Sequence, residues 1–156
     1  PAPRKDLMKQ VSPQGPIYPA GTLSGNPLAM AAGLCHLRTL HENKEKIYGH
    51  LEKMGDRLAS GLNDMARKHG VPVTINRAGS MFTLFFTGER VTDDASAKKC
   101  GTEKFSVFFR EMLERGVFLP PSQFETAFVS YSHGNAEIEK TIRAADSAMS
   151  SIPGAN

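Results

Sequence analysis

The sequence has no tryptophan and only two cysteines among its 156 residues. Cys35 and Cys100 form no Cys-x-x-Cys pair and have no histidine at metal-ligand spacing, which argues against a metal site and favours a reduced intracellular protein. No apolar run is long enough to cross a membrane, and the first residues lack a signal-peptide core. The net charge of +3 is too small to indicate a nucleic-acid partner. We therefore expect a cytoplasmic protein without a metal, membrane or nucleic-acid partner.

The segment 18–33 is the most informative part of what is present. Gly21, Thr22 and Gly25 belong to a turn that leads into a helix, with Asn26 as its N-cap and Pro27 at the first helical position. Small side chains, backbone amides and a hydroxyl beside a helix start suit a phosphate group. Most turns of this composition are only turns, so the composition alone leaves both interpretations open.

Two helices follow this turn. The first, at 27–40, is apolar nearly all round, which predicts burial on most sides, with Cys35 as a buried small residue. Gly33 inside it indicates a close approach of another helix. The second helix repeats apolar residues every three or four positions from Ile47 to Met65, and Gly70 ends it.

The second half of the chain predicts an α+β domain with a small, mostly antiparallel sheet covered by helices. The pattern predicts strands at 71–76 and 81–87, a polar surface loop at 87–100, a helix at 102–115, short strands at 117–119 and 128–131, and a last helix from near residue 135.

Glu125 is the strongest catalytic candidate from the residues themselves. This lone carboxylate lies between apolar residues, shortly after Pro120-Pro121. It is either half-buried and hydrogen-bonded, as functional carboxylates often are, or it points into water. Ser122 and Gln123 belong to the same segment and receive no role. His133 is interpreted as a loop or cap residue rather than a catalyst.

The run Tyr18-Pro-Ala-Gly-Thr-Leu-Ser-Gly-Asn-Pro resembles the class III aminotransferase type of pyridoxal-phosphate (PLP) enzymes, of fold type I. The strand 81–87 and the segment 119–130 are similar to the glutamate-1-semialdehyde 2,1-aminomutases within that family. The resemblance implies a homodimer in which Gly21 and Thr22 bind the cofactor phosphate of the other subunit. It also implies that Tyr18 lies near that neighbouring site and that Glu125 lies beside the cofactor ring.

The sequence departs from the family pattern at two positions. Pro19 stands where a glutamine is expected, and Thr126 stands where an alanine is expected. The first departure affects how the chain approaches the turn at 21–25. The second leaves the assignment of Glu125 unchanged.

The same resemblance implies a domain organisation. Residues 1–26 would be the end of an incomplete PLP-binding large domain, and 27–156 would be linking helices and the C-terminal small domain. We therefore expect the chain to be the C-terminal part of a longer protein. The lysine that carries the cofactor, and the arginine that binds the substrate carboxylate, are expected upstream, so this piece alone is expected to be inactive.

The implied activity is that of an isomerase, which converts the small amino-aldehyde glutamate-1-semialdehyde to 5-aminolevulinate in tetrapyrrole (porphyrin) biosynthesis. Its location would be cytoplasmic, or the plastid in a plant or alga. Two alternatives stay open: part of a class III ω-aminotransferase, or a non-catalytic interaction domain. If the piece folds alone, the 27–40 helix is expected to leave an apolar patch that causes aggregation or partner dependence.

Overall fold

A computed structural model of the chain describes residues 4–154. The chain consists of two compact units, the first ending at Glu42 and the second beginning at Asn43. The structure therefore separates the chain after its first long helix. The domain boundary that the family resemblance implies, after residue 26, stays a prediction.

Within residues 4–42, the first unit consists of two helices joined by a segment of turns. Helix α1 spans Lys5–Met8 and helix α2 spans Pro27–Glu42. Although α2 is apolar nearly all round, none of its residues is buried, so the predicted burial is wrong for this chain. Cys35 is exposed rather than buried. A Cβ added at Gly33 would meet no atom within 4 Å, so the close approach of another helix that the sequence predicts is not seen within residues 4–42.

The second unit begins with the long helix α3, Lys44–Lys68. Its apolar stripe buries Ile47, Met54, Leu58 and Leu62, as the spacing predicts. The helix ends in a Schellman motif: the Val71 amide donates to the Ala66 carbonyl at 2.9 Å, and the Gly70 amide donates to the Arg67 carbonyl at 3.2 Å. Gly70 has a φ of 65°, which glycine adopts without a Cβ clash.

A three-stranded antiparallel sheet follows, in the order β1-β2-β3. Strand β1 (Thr74–Ala78) pairs with β2 (Met81–Phe85) across the two-residue turn Gly79-Ser80, and β2 pairs with β3 (Ala127–Phe128). The antiparallel hairpin confirms the sequence prediction, with a tighter turn than expected. The predicted strand at 128–131 shrinks to β3, because the chain turns where the His133 amide donates to the Ser130 carbonyl.

Three helices complete the second unit: α4 (Asp94–Ala97), α5 (Thr102–Glu114) and α6 (Asn135–Ser150). The prediction of a polar surface loop at 87–100 is wrong, because it contains α4, and because Val91 and Cys100 are buried against Phe85. The predicted strand at 117–119 does not form. It has no partner strand within residues 4–154, and Pro120-Pro121, just beyond it, has no backbone N–H to donate.

The hydrophobic core of the second unit lies between α3, α5, α6 and the sheet. Its largest fully buried side chains are those of Phe108, Met112 and Met149. Phe86 packs edge-on against Phe108, with ring centroids 5.5 Å apart. The core therefore packs against the sheet, whose strand β3 follows the Glu125 segment directly in the chain.

Candidate functional site

The glycine-rich segment of the first unit forms two successive turns before α2. The Ser24 amide donates to the Gly21 carbonyl at 3.0 Å, and the Asn26 amide donates to the Leu23 carbonyl at 3.1 Å. The Asn26 side-chain oxygen then accepts hydrogen bonds from the amides of Leu28 and Ala29, both at 3.1 Å. Asn26 is thus the N-cap of α2, as the sequence predicts.

Glycine occupies two positions of these turns, and at one of them the backbone angle favours it. A Cβ at Gly21 would collide with Oγ of Ser24, which folds back over it. Gly25 has a φ of 75° at the third position of the second turn, where a positive φ favours glycine. Both residues therefore allow a tight backbone path just before the helix.

These turns leave hydrogen-bond donors free to bind a ligand. The Thr22 hydroxyl and the backbone amides of Thr22 and Leu23 make no hydrogen bond with residues 4–154. Thr22 is exposed, and the side chain of Tyr18 is 79% exposed. Adjacent amide and hydroxyl donors beside a helix start are an arrangement that binds phosphate.

The Glu125 segment of the second unit is a tight turn over residues 122–125. The Glu125 amide donates to the Ser122 carbonyl at 3.1 Å, and the Phe124 amide donates to the Ser122 hydroxyl oxygen at 3.2 Å. This turn leaves Glu125 exposed and buries the side chain of Gln123. Of the two alternatives for Glu125, the structure shows the exposed one.

A cleft of about 400 Å³ adjoins this turn in the second unit, and Glu125 lies on its wall. Its walls are mainly apolar, with a few polar groups, which is the composition of small-molecule sites. The residues that line it include Phe118, Pro120, Glu125, Thr126, His133 and Glu137.

His133 has a structural role on this wall. Its Nδ1 accepts a hydrogen bond from the Ser130 amide at 2.9 Å, and its carbonyl oxygen lies 2.9 Å from Nε2 of His50. Accepting from the amide requires Nδ1 to be unprotonated. The histidine thus stabilises the loop before α6, in agreement with its interpretation as a loop residue.

Glu137 is the cleft residue with a perturbed pKa. Its own backbone amide and that of Gly134, which donates to Oε2 at 2.9 Å, lower the pKa of the Glu137 carboxyl below its usual value. The carboxylate therefore caps the first turn of α6, where a negative charge is favoured by the helix dipole.

Residues 4–154 contain no group of three His, Cys, Asp or Glu side chains able to hold a metal ion. Within that range, no helix combines the length and the hydropathy needed to cross a bilayer.

Comparison with known protein families identifies the fold and the family. The model of the family described as "Aminotransferase class-III" matches residues 2–140. The chain belongs to the class III aminotransferase family. A solved β-phenylalanine aminotransferase from Variovorax paradoxus has the same fold, with a TM-score of 0.72 and 24% identity, over 98% of this chain and 36% of that one. The predicted α+β fold of the PLP-transferase type is confirmed.

Two curated relatives in this class III aminotransferase family show closer similarity. "Glutamate-1-semialdehyde 2,1-aminomutase 2" of Brevibacillus brevis is 54% identical over 94% of the chain, and that alignment covers 34% of the relative. "Glutamate-1-semialdehyde 2,1-aminomutase" of Pelotomaculum thermopropionicum is 53% identical over 91% of the chain and 32% of the relative. The chain thus spans about a third of the length of these curated relatives.

The candidate residues of this class III chain fall into two groups. Gly21 and Thr22 are brought together with Ser24 in the turn of the first unit, and Tyr18 lies just before it. Glu125 belongs to the second unit. Sequence reasoning assigned no role to Ser122 and Gln123. In the structure, the Ser122 hydroxyl accepts a hydrogen bond within the turn, and the Gln123 side chain is buried beneath it. The serine is the signal that predicts such a turn, because a serine hydroxyl can accept from the backbone amide two residues further on.

Proposed function

We propose that this chain forms part of a PLP-dependent glutamate-1-semialdehyde 2,1-aminomutase. Such an enzyme moves an amino group between adjacent carbons of its substrate, giving 5-aminolevulinate, a precursor of tetrapyrroles. The sequence identity of 53–54% to two relatives with this name, over more than nine-tenths of the chain, carries the proposal. Because the chain spans a third of their length, the activity is proposed for a larger protein that contains it.

The turn of the first unit supports PLP as the cofactor. Gly21 allows the backbone to fold beneath Ser24, and the free donors of Thr22 and Leu23 match the acceptor oxygens of a phosphate monoester. We assign Gly21 and Thr22 to the cofactor phosphate, with Tyr18 beside it. In the proposed homodimer, these donors serve the cofactor of the neighbouring subunit. When bound, PLP supplies an electron sink for chemistry at the carbon that carries the amino group.

Glu125 is the proposed catalytic residue. Its carboxylate is exposed on the cleft wall, and it makes no hydrogen bond or ion pair with residues 4–154. A carboxylate oxygen there can accept hydrogen bonds from the cofactor or from the ammonium group of an amino-aldehyde. The turn at 122–125 holds its backbone, so the acceptor is presented from a fixed position.

The experiment that tests the function is a chimera. The aligned 146 residues of the Brevibacillus brevis relative are replaced by those of this chain, and the enzyme is assayed with glutamate-1-semialdehyde. Formation of 5-aminolevulinate at a rate within about tenfold of the parent is expected. A chimera that folds and binds PLP, but requires an external amino acceptor and releases a keto product, would instead support an ω-aminotransferase.

Two variants of the chimera test the assigned residues. Glu125→Gln is expected to lower kcat by about 10- to 100-fold, because a hydrogen bond to a charged group contributes about 1.5–3 kcal/mol. Glu114→Gln, at an exposed glutamate of α5, is the matched control. Thr22→Val is expected to weaken PLP binding by about tenfold or more, as for a hydrogen bond to a charged group. Thr92→Val, at an exposed threonine, is its control. Equal effects in variant and control would refute the corresponding assignment.

A further inference from the structure

Gln123 is a buried polar side chain with an incomplete set of hydrogen bonds. It is 2% exposed. Its Nε2 donates to the Cys100 carbonyl oxygen across 3.5 Å, a long bond. Its Oε1 has no hydrogen-bond partner among residues 4–154. Turning the amide round would place Oε1 against another carbonyl oxygen, so the orientation follows from the network.

An unpaired buried carbonyl oxygen is unfavourable. Leaving such an acceptor without a partner costs about 1–3 kcal/mol. Folded proteins therefore satisfy nearly all buried polar atoms, and internal water is a common partner where no protein donor is within reach. Oε1 of Gln123 thus requires a donor.

A small cavity next to Gln123 has room for that donor. Its volume is about 30 Å³, and its walls combine aromatic side chains, among them Phe105 and Phe108, with the polar residues Thr83 and Ser122. A cavity needs roughly 10–15 Å³ of such volume to hold one water molecule, so this one admits a water but no organic ligand.

We propose that an ordered water molecule binds in this cavity, donates a hydrogen bond to Oε1 of Gln123, and thereby fixes the turn at 122–125. Ser122 supplies a second polar group, because its hydroxyl oxygen already accepts from the Phe124 amide and its hydrogen is free to point towards the water. Gln123 is then a positioning residue for Glu125, two residues further along the same turn. The relevance to catalysis rests on the proposed function, whereas the water site itself does not.

The bound water is tested directly on the unaltered protein. In the 156-residue chain, NMR cross-relaxation between water and the side-chain amide of Gln123 is expected to show a long-lived water molecule. High-resolution diffraction from the chimera is expected to show density within about 3.2 Å of Oε1. A protein donor on Oε1, or the absence of both signals, would overturn the proposal.

The positioning role is tested with a matched pair of variants. Gln123→Met keeps the length of the side chain and removes the amide, whereas Gln14→Met makes the same change at an exposed glutamine. The amide order parameters of Phe124 and Glu125 are expected to fall from about 0.85 to below about 0.6 in the first variant only. Unchanged order parameters in a folded Gln123→Met chain would overturn the positioning role.

These measurements separate the water site from the proposed function. A missing water in a chimera that forms 5-aminolevulinate would refute the water site alone. A bound water and an ordered turn in an inactive chimera would support the water site and count against the proposed activity.

Discussion

Each of the two units of this chain contains a long helix rich in apolar residues, but the two helices bury these residues very differently. Helix α2 is apolar nearly all round and has no buried residue, with Leu28 80% exposed and Leu37 64% exposed. Helix α3 carries a single apolar stripe and buries it almost completely. A helix with one stripe finds its partners in α6 and the sheet, whereas a helix apolar on all sides needs more cover than this chain provides.

The comparison indicates which unit carries its own stability. The second unit has a continuous core in which Met112, Ala145 and Met149 are completely buried. The exposed surface of α2 is typical of a surface that contacts another protein or another part of a larger one. The sequence expectation of an apolar patch on this helix therefore agrees with the structure, although the expectation of burial does not.

The comparison is tested most strongly by the same substitution in both units. Met112→Ala removes a completely buried side chain and is expected to lower the free energy of unfolding by about 2–5 kcal/mol. Met30→Ala, at a side chain 61% exposed on α2, is expected to change it by less than about 0.5 kcal/mol. Urea unfolding followed by far-UV circular dichroism measures both. A loss above 2 kcal/mol at Met30 would mean that α2 is buried in solution.

The helices of the second unit were predictable because their signals are local. A repeat of three and four residues, followed by Gly70 or Gly116, specifies α3 and α5 without knowledge of the rest of the fold. The strand predicted at 117–119 failed for the opposite reason. Its apolar residues favour an extended chain, but a strand also needs a partner, and that depends on contacts distant in sequence.

The candidate site also combines features that local sequence predicts with features that depend on contacts distant in sequence. The N-cap at Asn26 and the turn before it are set by residues close together in sequence, and the structure forms both. The burial of Gln123 was not predictable, because glutamine is usually exposed and only the packing of residues distant in sequence encloses it. Glu125 lies in the same turn and is exposed, together with its neighbours Phe124 and Thr126.

A second test concerns two glycines on α3. A Cβ at Gly55 would lie 2.9 Å from the Gly79 carbonyl oxygen and 3.0 Å from Nη1 of Arg77, whereas one at Gly49 would meet nothing within 4 Å. Gly55→Ala is therefore expected to destabilise the protein by about 1–3 kcal/mol, because the helix must move away from the hairpin. Gly49→Ala is expected to stabilise it by up to about 1 kcal/mol, through helix propensity.

Thermal unfolding measures the change in stability that each of the two glycine variants causes. Because both substitutions lie on one helix, a difference between them reports the close approach of α3 to the β1–β2 turn rather than helix propensity. If Gly55→Ala proved as stabilising as Gly49→Ala, α3 would not pack against that turn.

A third test uses the ion pairs that join α3 to α6. Lys68 lies with its Nζ 2.8 Å from both carboxylate oxygens of Asp146, and Nε2 of His69 lies 2.6 Å from Oδ1. Lys68 first, and then His69, lower the pKa of the Asp146 carboxyl. A lowered pKa in the folded state adds stability above the unfolded pKa of about 3.9, and this is lost as the pH falls through the folded pKa.

Asp146→Asn is accordingly expected to destabilise the protein by about 1 kcal/mol at pH 7, a value reduced for partial solvent exposure. The difference from the unaltered protein should shrink below pH 4. Asp64→Asn is the control, since Asp64 forms an exposed ion pair with Arg67, and both residues lie on α3. Unfolding measured from pH 3 to pH 8 would contradict the assignment if both variants lost the same stability at every pH.

The smallest effect on stability, and the sharpest contrast between the units, is expected at the two cysteines. Cys35 is exposed on α2, whereas Cys100 is buried beside Phe85, and burial raises the pKa of the Cys100 thiol. A thiol reagent at pH 7.5 should modify Cys35 at least about 100-fold faster than Cys100, because the reacting species is the accessible thiolate. Cys35→Ser should change stability by less than about 0.5 kcal/mol and should abolish the fast phase.

The same reaction reports what covers α2. In the chimera, where the rest of the enzyme is present, protection of Cys35 would show that the apolar surface of α2 is an internal contact of the larger protein. Rapid modification of Cys35 in an active chimera would show that the surface stays open when the enzyme works. Equal rates for the two thiols in the isolated chain would contradict the contrast itself, because either α2 would be covered or the core around Cys100 would be open.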